Sequence, residues 1–149
     1  MRTNKKGIDL IKRFEGLKLK PYLCSADVPT IGYGSTFYED GTKVTLKDPI
    51  ITEKRANDLL LNTIAKFEKG VLSLTHGLLL NDNQVSALVS FAFNVGLLNL
   101  KKSTLLVILK ANPNDKAIYN QFLRWNKAKG KVLAGLTTRR KAEADLYFS

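Results

Sequence analysis

The sequence is short of the residues that build disulfides and metal centres. Cys24 is the only cysteine and His76 the only histidine among 149 residues. A single cysteine excludes an intramolecular disulfide. A structural zinc site needs roughly four N/S ligands, more than one thiol and one imidazole supply. No metal and no cofactor are expected. Long apolar runs are also missing. None approaches the roughly 20 residues that cross a bilayer. The N-terminal stretch MRTNKKGIDLIKRFEG is basic but has no apolar h-region and no small-residue cleavage site. The chain is therefore expected to stay in the cytoplasm where it is made until something else releases it. Acidic residues are the third shortage: 13 Asp and Glu stand against 24 Lys and Arg, a net charge of +11.

What is present is ordinary globular composition, 44% hydrophobic and 25% charged. The length suits one domain that buries most of its apolar surface. The positive charge gathers at the ends. Residues 1–20 hold seven Lys/Arg against Asp9 and Glu15, and residues 120–149 hold seven against Glu143 and Asp145. Between them ten basic residues face nine acidic ones. Basic ends fit a polyanionic partner (nucleic acid, acidic wall polymer or anionic membrane surface), or a solvated surface that aids solubility.

The periodicity predicts a first helix over 4–14. Ile8, Ile11 and Glu15 are spaced three and four apart and share a face. Gly16 is a natural C-cap. From 17 to 50 the helical period fades, and glycines and prolines punctuate short β-like runs at 22–24, 30–33 and 43–46. Asp40-Gly41 signals a hairpin. From Thr52 the chain reads as helical. Thr52 caps a helix of about 18 residues with Gly70 past its end, and Asn81 or Asp82 caps the next. Ser103 precedes a helix over 104–110, and two more follow over 115–127 and 137–147. The class is α+β, with a small antiparallel lobe of about 17–50 and a helical lobe of 1–16 plus 51–149.

Glu15 is the chemically odd residue. A helix C-terminus disfavours negative charge, and the residue sits on an apolar face. Both conditions favour the neutral acid, which is the form that donates a proton to a leaving oxygen in glycoside cleavage. A salt bridge to an arginine of the helical lobe is the competing reading. Arg139 and Arg140 are candidates for that partner, or else plain basic surface.

Cys24 follows Glu15 after eight residues, and Thr30 follows after five more, in FEGLKLKPYLCSADVPTIGYGST. This pattern resembles the phage lysozyme family, the family 24 glycoside hydrolases, whose motif is Glu, eight residues, Asp or Cys, five residues, Thr. The likeness continues through Gln84 to Gly96, Ser103-Thr104-Leu105-Leu106, Arg124-Trp125, and 130–136 with Arg139, Arg140 and Glu143. It implies a single lysozyme-like domain over 1–149 with the active-site cleft between its lobes. It further implies hydrolysis of β-1,4 bonds between N-acetylmuramic acid and N-acetylglucosamine, by a phage endolysin that lyses its host. Glu15 would be the general acid, Thr30 would hold the attacking water, and Cys24 would orient or activate it in place of the family's aspartate. Asp27 is a rival for that second acid, or a turn residue before Val28-Pro29. Substrate contacts are implied at Thr36, Phe93 and Thr104. The thiol departs from the aspartate pattern, since it is mostly neutral near pH 7 unless its surroundings tune it.

The implied partner is peptidoglycan. Nucleic acid is not expected, and the chain is expected to act as a monomer in the host cytoplasm until membrane permeabilisation opens the way to the wall. The basic last helix, 137–148, is a candidate for contact with anionic envelope surfaces through Arg139, Arg140, Lys141, Leu146, Tyr147 and Phe148. Other functions remain in view. A lytic transglycosylase would leave anhydro products, and a nucleic-acid-binding protein would bind DNA without clearing cell walls. A non-catalytic wall-binding module would be indifferent to Glu15→Gln.

Overall fold

The computed structural model describes all 149 residues. In chain order the elements are α1 (Lys5–Glu15), β1 (Lys18–Leu23), β2 (Pro29–Gly32), α2 (Glu53–Leu74), α3 (Asp82–Val95), α4 (Leu97–Lys102), α5 (Thr104–Ala111), α6 (Ala117–Leu123), β3 (Lys127–Ala128), β4 (Lys131–Val132) and α7 (Ala134–Tyr147). This is the expected α+β class. The chain forms two compact units: Lys12–Lys66, and Met1–Ile11 together with Phe67–Ser149.

The 12–66 unit is built from tight reversals. Glu15 ends α1, and Gly16 follows at φ +73° with its N–H on the Lys12 carbonyl. This is the left-handed helix stop that the glycine predicts. β1 and β2 then pair antiparallel, with Tyr22 opposite Thr30 and Leu23 opposite Pro29. A second reversal follows at once, where Ile31 and Ser35 exchange both backbone hydrogen bonds at 2.9 Å around Gly32-Tyr33-Gly34. Ile31, Val44 and Leu59 are buried together, with Tyr38 and Ile51 packed on them.

The strand expected at 43–46 does not form beyond a single Phe37–Lys43 bridge. Asp48 explains this. Its carboxylate accepts the Thr45 N–H at 2.9 Å and the Thr45 hydroxyl at 2.6 Å, which draws the backbone into a local turn instead of a ladder. The Asp40-Gly41 turn does form, closed by Tyr38 and Thr42, with Gly41 at φ +87°.

One buried polar group in this unit is unmatched. The Ser35 hydroxyl is 4% exposed at residue level and has no hydrogen-bond partner. Such a group costs about 1–3 kcal/mol. Ser35→Ala is therefore expected to raise stability by about 1 kcal/mol in urea denaturation, and a lower midpoint would contradict this.

In the other unit α3 is the central element. Asn81 caps it, with Gln84 closing a reciprocal capping box, and residues Gln84 to Ala92 are buried on every side. A helix buried all round needs this apolar composition. α7 packs against α3 and α6, and Phe91 meets Phe122 and Trp125 edge-on at 5.5 and 5.6 Å. Ser103 caps α5 through the Leu106 N–H, as expected.

Three boundaries differ from the sequence reading. α2 does not stop at Gly70 but runs on to Leu74. A Cβ at Gly70 would lie 2.4 Å from Leu97 Cδ1, so this glycine serves close packing rather than termination. The helix expected over 115–127 is only Ala117–Leu123, because the chain turns into the β3–β4 hairpin at Lys129-Gly130. α7 begins at Ala134, three residues ahead of Thr137.

Candidate active site

The β1–β2 loop is a three-residue reversal, Ser25-Ala26-Asp27. The Cys24 N–H bonds to the Val28 carbonyl at 3.1 Å, and the Asp27 N–H to the Cys24 carbonyl at 2.9 Å. Asp27 sits at φ +59°, the left-handed position that closes such hairpins. Aspartate tolerates this conformation better than most residues. Asp27 is thus a turn residue, one of the two roles its sequence position allows.

This turn tunes the thiol. Cys24 is half-buried, and its pKa is held below the ordinary thiol value. The backbone N–H of Val28 is the largest cause, followed by that of Ala26 and then the Thr30 hydroxyl. Each is a donor that stabilises the thiolate. The Thr30 side chain is buried in β2, and its hydroxyl donates to the Val28 carbonyl at 2.8 Å. Its single proton therefore has two acceptors in reach, the Val28 oxygen and the Cys24 sulfur. With the proton on Val28, the hydroxyl oxygen keeps its lone pairs for an incoming donor.

Strand register gathers these groups. Tyr22 and Thr30 are cross-strand partners and share a face. Cys24 lies two residues beyond Tyr22, so alternation returns it to that face. Tyr22 also senses Glu15. Its phenol pKa is raised by burial first, then by negative charge at Cys24 and at Glu15. Tyr22 thus pairs with Thr30 across the strands and lies within electrostatic reach of Cys24 and Glu15. In the sequence Tyr22 stands only within a β-like run, and its i, i+2 spacing to Cys24 is the signal that puts the two on one face.

Glu15 is seated by a glycine. A Cβ at Gly34 would stand 2.7 Å from Glu15 Oε1, and Gly34 has φ +79°. Both space and backbone conformation demand glycine there. Gly34→Ala is expected to displace the carboxylate and slow turnover about 10- to 100-fold, since a misplacement of about 1 Å has that order of effect. Initial rates on purified peptidoglycan beside a melting curve test this. Unchanged kcat in a folded variant would refute it.

The remaining candidates are dispersed. Thr36 is half-buried in the 12–66 unit, and its carbonyl accepts the Val44 N–H at 2.9 Å. Phe93 belongs to the other unit and packs on Phe67 with the rings tilted and their centroids 5.3 Å apart. Thr104 is exposed at the start of α5. No three or more His, Cys, Asp or Glu side chains gather as a metal ligand set.

The sequence model for phage lysozyme matches residues 12–143. The chain belongs to the phage lysozyme family. Among its family relatives, an endolysin of Bacillus phage B103 is 42% identical over the whole chain, and one of Salmonella phage P22 is 38% identical. The chain spans about half the length of the Bacillus phage endolysins it matches, 55% and 56%, but 99% of the P22 protein. Among solved structures of the lysozyme type, an endolysin of Escherichia coli O157:H7 phage FAHEc1 superposes with TM-score 0.89 at 36% identity. That match covers all of this chain and 94% of the other. A P22 lysozyme mutant superposes at 0.85, also with 36% identity, covering 100% and 99%.

Proposed function

We propose that this chain hydrolyses the β-1,4 bond between N-acetylmuramic acid and N-acetylglucosamine in peptidoglycan, as the catalytic domain of an endolysin. The observation that carries the reading is the hairpin that holds Cys24 and Thr30 beside Tyr22, together with the carboxylate seat for Glu15 at Gly34. Glu15 donates its proton to the glycosidic oxygen as the bond to the anomeric carbon breaks. Positive charge develops on the sugar, and a water held by the Thr30 hydroxyl attacks the opposite face. The Cys24 thiolate takes the water's proton and returns it to solvent, and Glu15 regains a proton from solvent for the next turnover. One water is consumed, and the anomeric configuration inverts. The place of action is the host cell wall, reached once the inner membrane is permeabilised. No helix is long and apolar enough to cross a membrane.

Product analysis tests the reaction type. Purified peptidoglycan digested by the protein is expected to give reducing muramic ends in mass spectrometry. Anhydro ends would mean that the sugar's own hydroxyl attacks and would overturn the hydrolytic reading. Clearing of neither walls nor purified glycan would leave a binding protein.

The thiol makes its own prediction. A depressed pKa means that the thiolate is already present at a pH where an ordinary thiol is neutral. Iodoacetamide should therefore modify Cys24 at a rate that climbs with pH and levels off below the usual thiol range, with activity lost in step. Cys24→Ser is expected to lose at least tenfold in kcat, and Cys24→Asp to recover part of it. Full activity after complete alkylation would remove Cys24 from the mechanism.

A further inference from the structure

The last helix does not carry the surface charge its sequence promises. Arg139 and Arg140 are 3% and 0% exposed and bound to Glu143, and Leu146 and Tyr147 are buried as well. These four pack the interior, and of the residues expected to face the envelope only Lys141 and Phe148 are exposed. More exposed charge lies just before the helix. From Lys116 to Lys131 the chain has five Lys/Arg, all exposed, and no acidic residue. Its centre is the β3–β4 hairpin, where Lys127 opposes Val132 and Ala128 opposes Lys131. Cross-strand partners share a face, so Lys127 and Lys131 project from opposite faces, and Lys129 stands at the tip.

Two features mark this finger as more than solvated lysine. The first is its turn. Lys129 and Gly130 both have positive φ, +51° and +78°, the pattern of a two-residue hairpin turn that favours Asn-Gly. A lysine there costs about 1–2 kcal/mol in conformation, and it stands exposed at the tip of the hairpin. The second is a pocket of about 310 Å³ beside the base of the finger, lined by Lys102, Ser103, Thr104, Gln121, Arg124 and Trp125. It is at the small end of ligand-site volumes, about 300–1,000 Å³. Neither Lys102 nor Arg124 is in an ion pair, and the Arg124 guanidinium reaches only Gln121, at 3.4 Å.

We propose that the 127–132 finger and this pocket bind a flexible wall polymer of phosphodiester-linked units. One phosphate seats between Lys102 and Arg124, and the following phosphates wrap the finger. Cations on both faces and the tip suit a chain that bends around them. A flat bilayer meets one face at a time. The choice of a wall polymer rests on the peptidoglycan reading.

The test uses purified polyglycerol phosphate as the probe. Phosphatidylglycerol vesicles, a short DNA duplex and polyglutamate are the comparison arms, each titrated at several salt concentrations. The variant is Lys127→Gln, Lys129→Asn and Lys131→Gln together. An asparagine suits the first turn position better than lysine does, so the fold should hold or gain stability. The expected result is binding of polyglycerol phosphate that the variant weakens about 10- to 100-fold, with a flatter salt dependence. Hydrolysis of soluble glycan fragments that lack the polymer should be unchanged. Equal binding by variant and wild type overturns the proposal, as does tighter binding to vesicles, duplex or polyglutamate. Wild-type protein that binds the polymer but cleaves no glycan would sink the hydrolase reading and leave the site standing.

Discussion

Glu15→Gln should reduce glycan hydrolysis by about 10²- to 10⁴-fold, the usual contribution of a positioned general acid. The amide matches the carboxyl in size and fits the space over Gly34, where Glu15 Oε1 lies 2.7 Å from the position of a missing Cβ. It has no proton to give to a glycosidic oxygen. Because the shape survives, wall binding and the melting curve should barely change, and the loss should fall on kcat rather than KM. Released reducing ends per minute on purified peptidoglycan, with a co-sedimentation assay for binding, separate the two. A variant with more than a tenth of wild-type kcat would rule out Glu15 as the acid. A variant that no longer melts cooperatively would be set aside for Glu15→Ala, which empties the site without adding bulk.

The second large effect is on stability. Glu143 is fully buried in α7 and accepts from Ser90 Oγ at 2.5 Å, from Arg139 Nε at 3.2 Å and from Arg140 Nη1. Arg140 also donates to the Trp125 carbonyl at 2.9 Å and to Asn94 Oδ1, and lies 5.1 Å from the Phe91 ring. Two guanidiniums thus share one carboxylate in a dry environment. Glu143→Gln leaves both without it. Breaking a buried pair in this way costs about 3–5 kcal/mol. At roughly 2–4 °C per kcal/mol for a chain of this size, the melting temperature should fall by about 10 °C. Glu53→Gln, at the exposed first turn of α2, should shift it by no more than about 2 °C. Equal shifts for the two variants would mean that the cluster contributes little net stability.

The same cluster shows where sequence reading stopped. Arg139, Arg140 and Glu143 have i, i+3 and i, i+4 spacing on one helix, which signals a local ion pair. Whether such a pair faces water or the interior depends on which elements cover it. Ser90 and Asn94, far off in sequence, decide that here. Tyr22 is a parallel case. Its spacing to Cys24 was visible, but its place opposite Thr30 depends on a strand register with an irregularity between Lys18 and Tyr22. Gly70 looked like a stop because a glycine near a helix end usually is one, and only the Leu97 side chain against it shows otherwise.

By itself, then, the sequence determined the features whose causes lie within a few residues. These are the caps at Thr52, Asn81 and Ser103, the left-handed stop at Gly16, the α+β class, and the Glu15, Cys24, Thr30 spacing. Short-range hydrogen bonds and backbone sterics set all but the last, and the spacing is written directly in the chain. The tertiary structure alone decided that Cys24 is held toward its thiolate by the Val28 and Ala26 amides, that Gly34 seats the Glu15 carboxylate, and that Arg139 and Arg140 of the last helix are interior while the lysines of the 127–132 finger are not. Burial and register depend on partners distant in the chain, and no local pattern encodes which partner arrives.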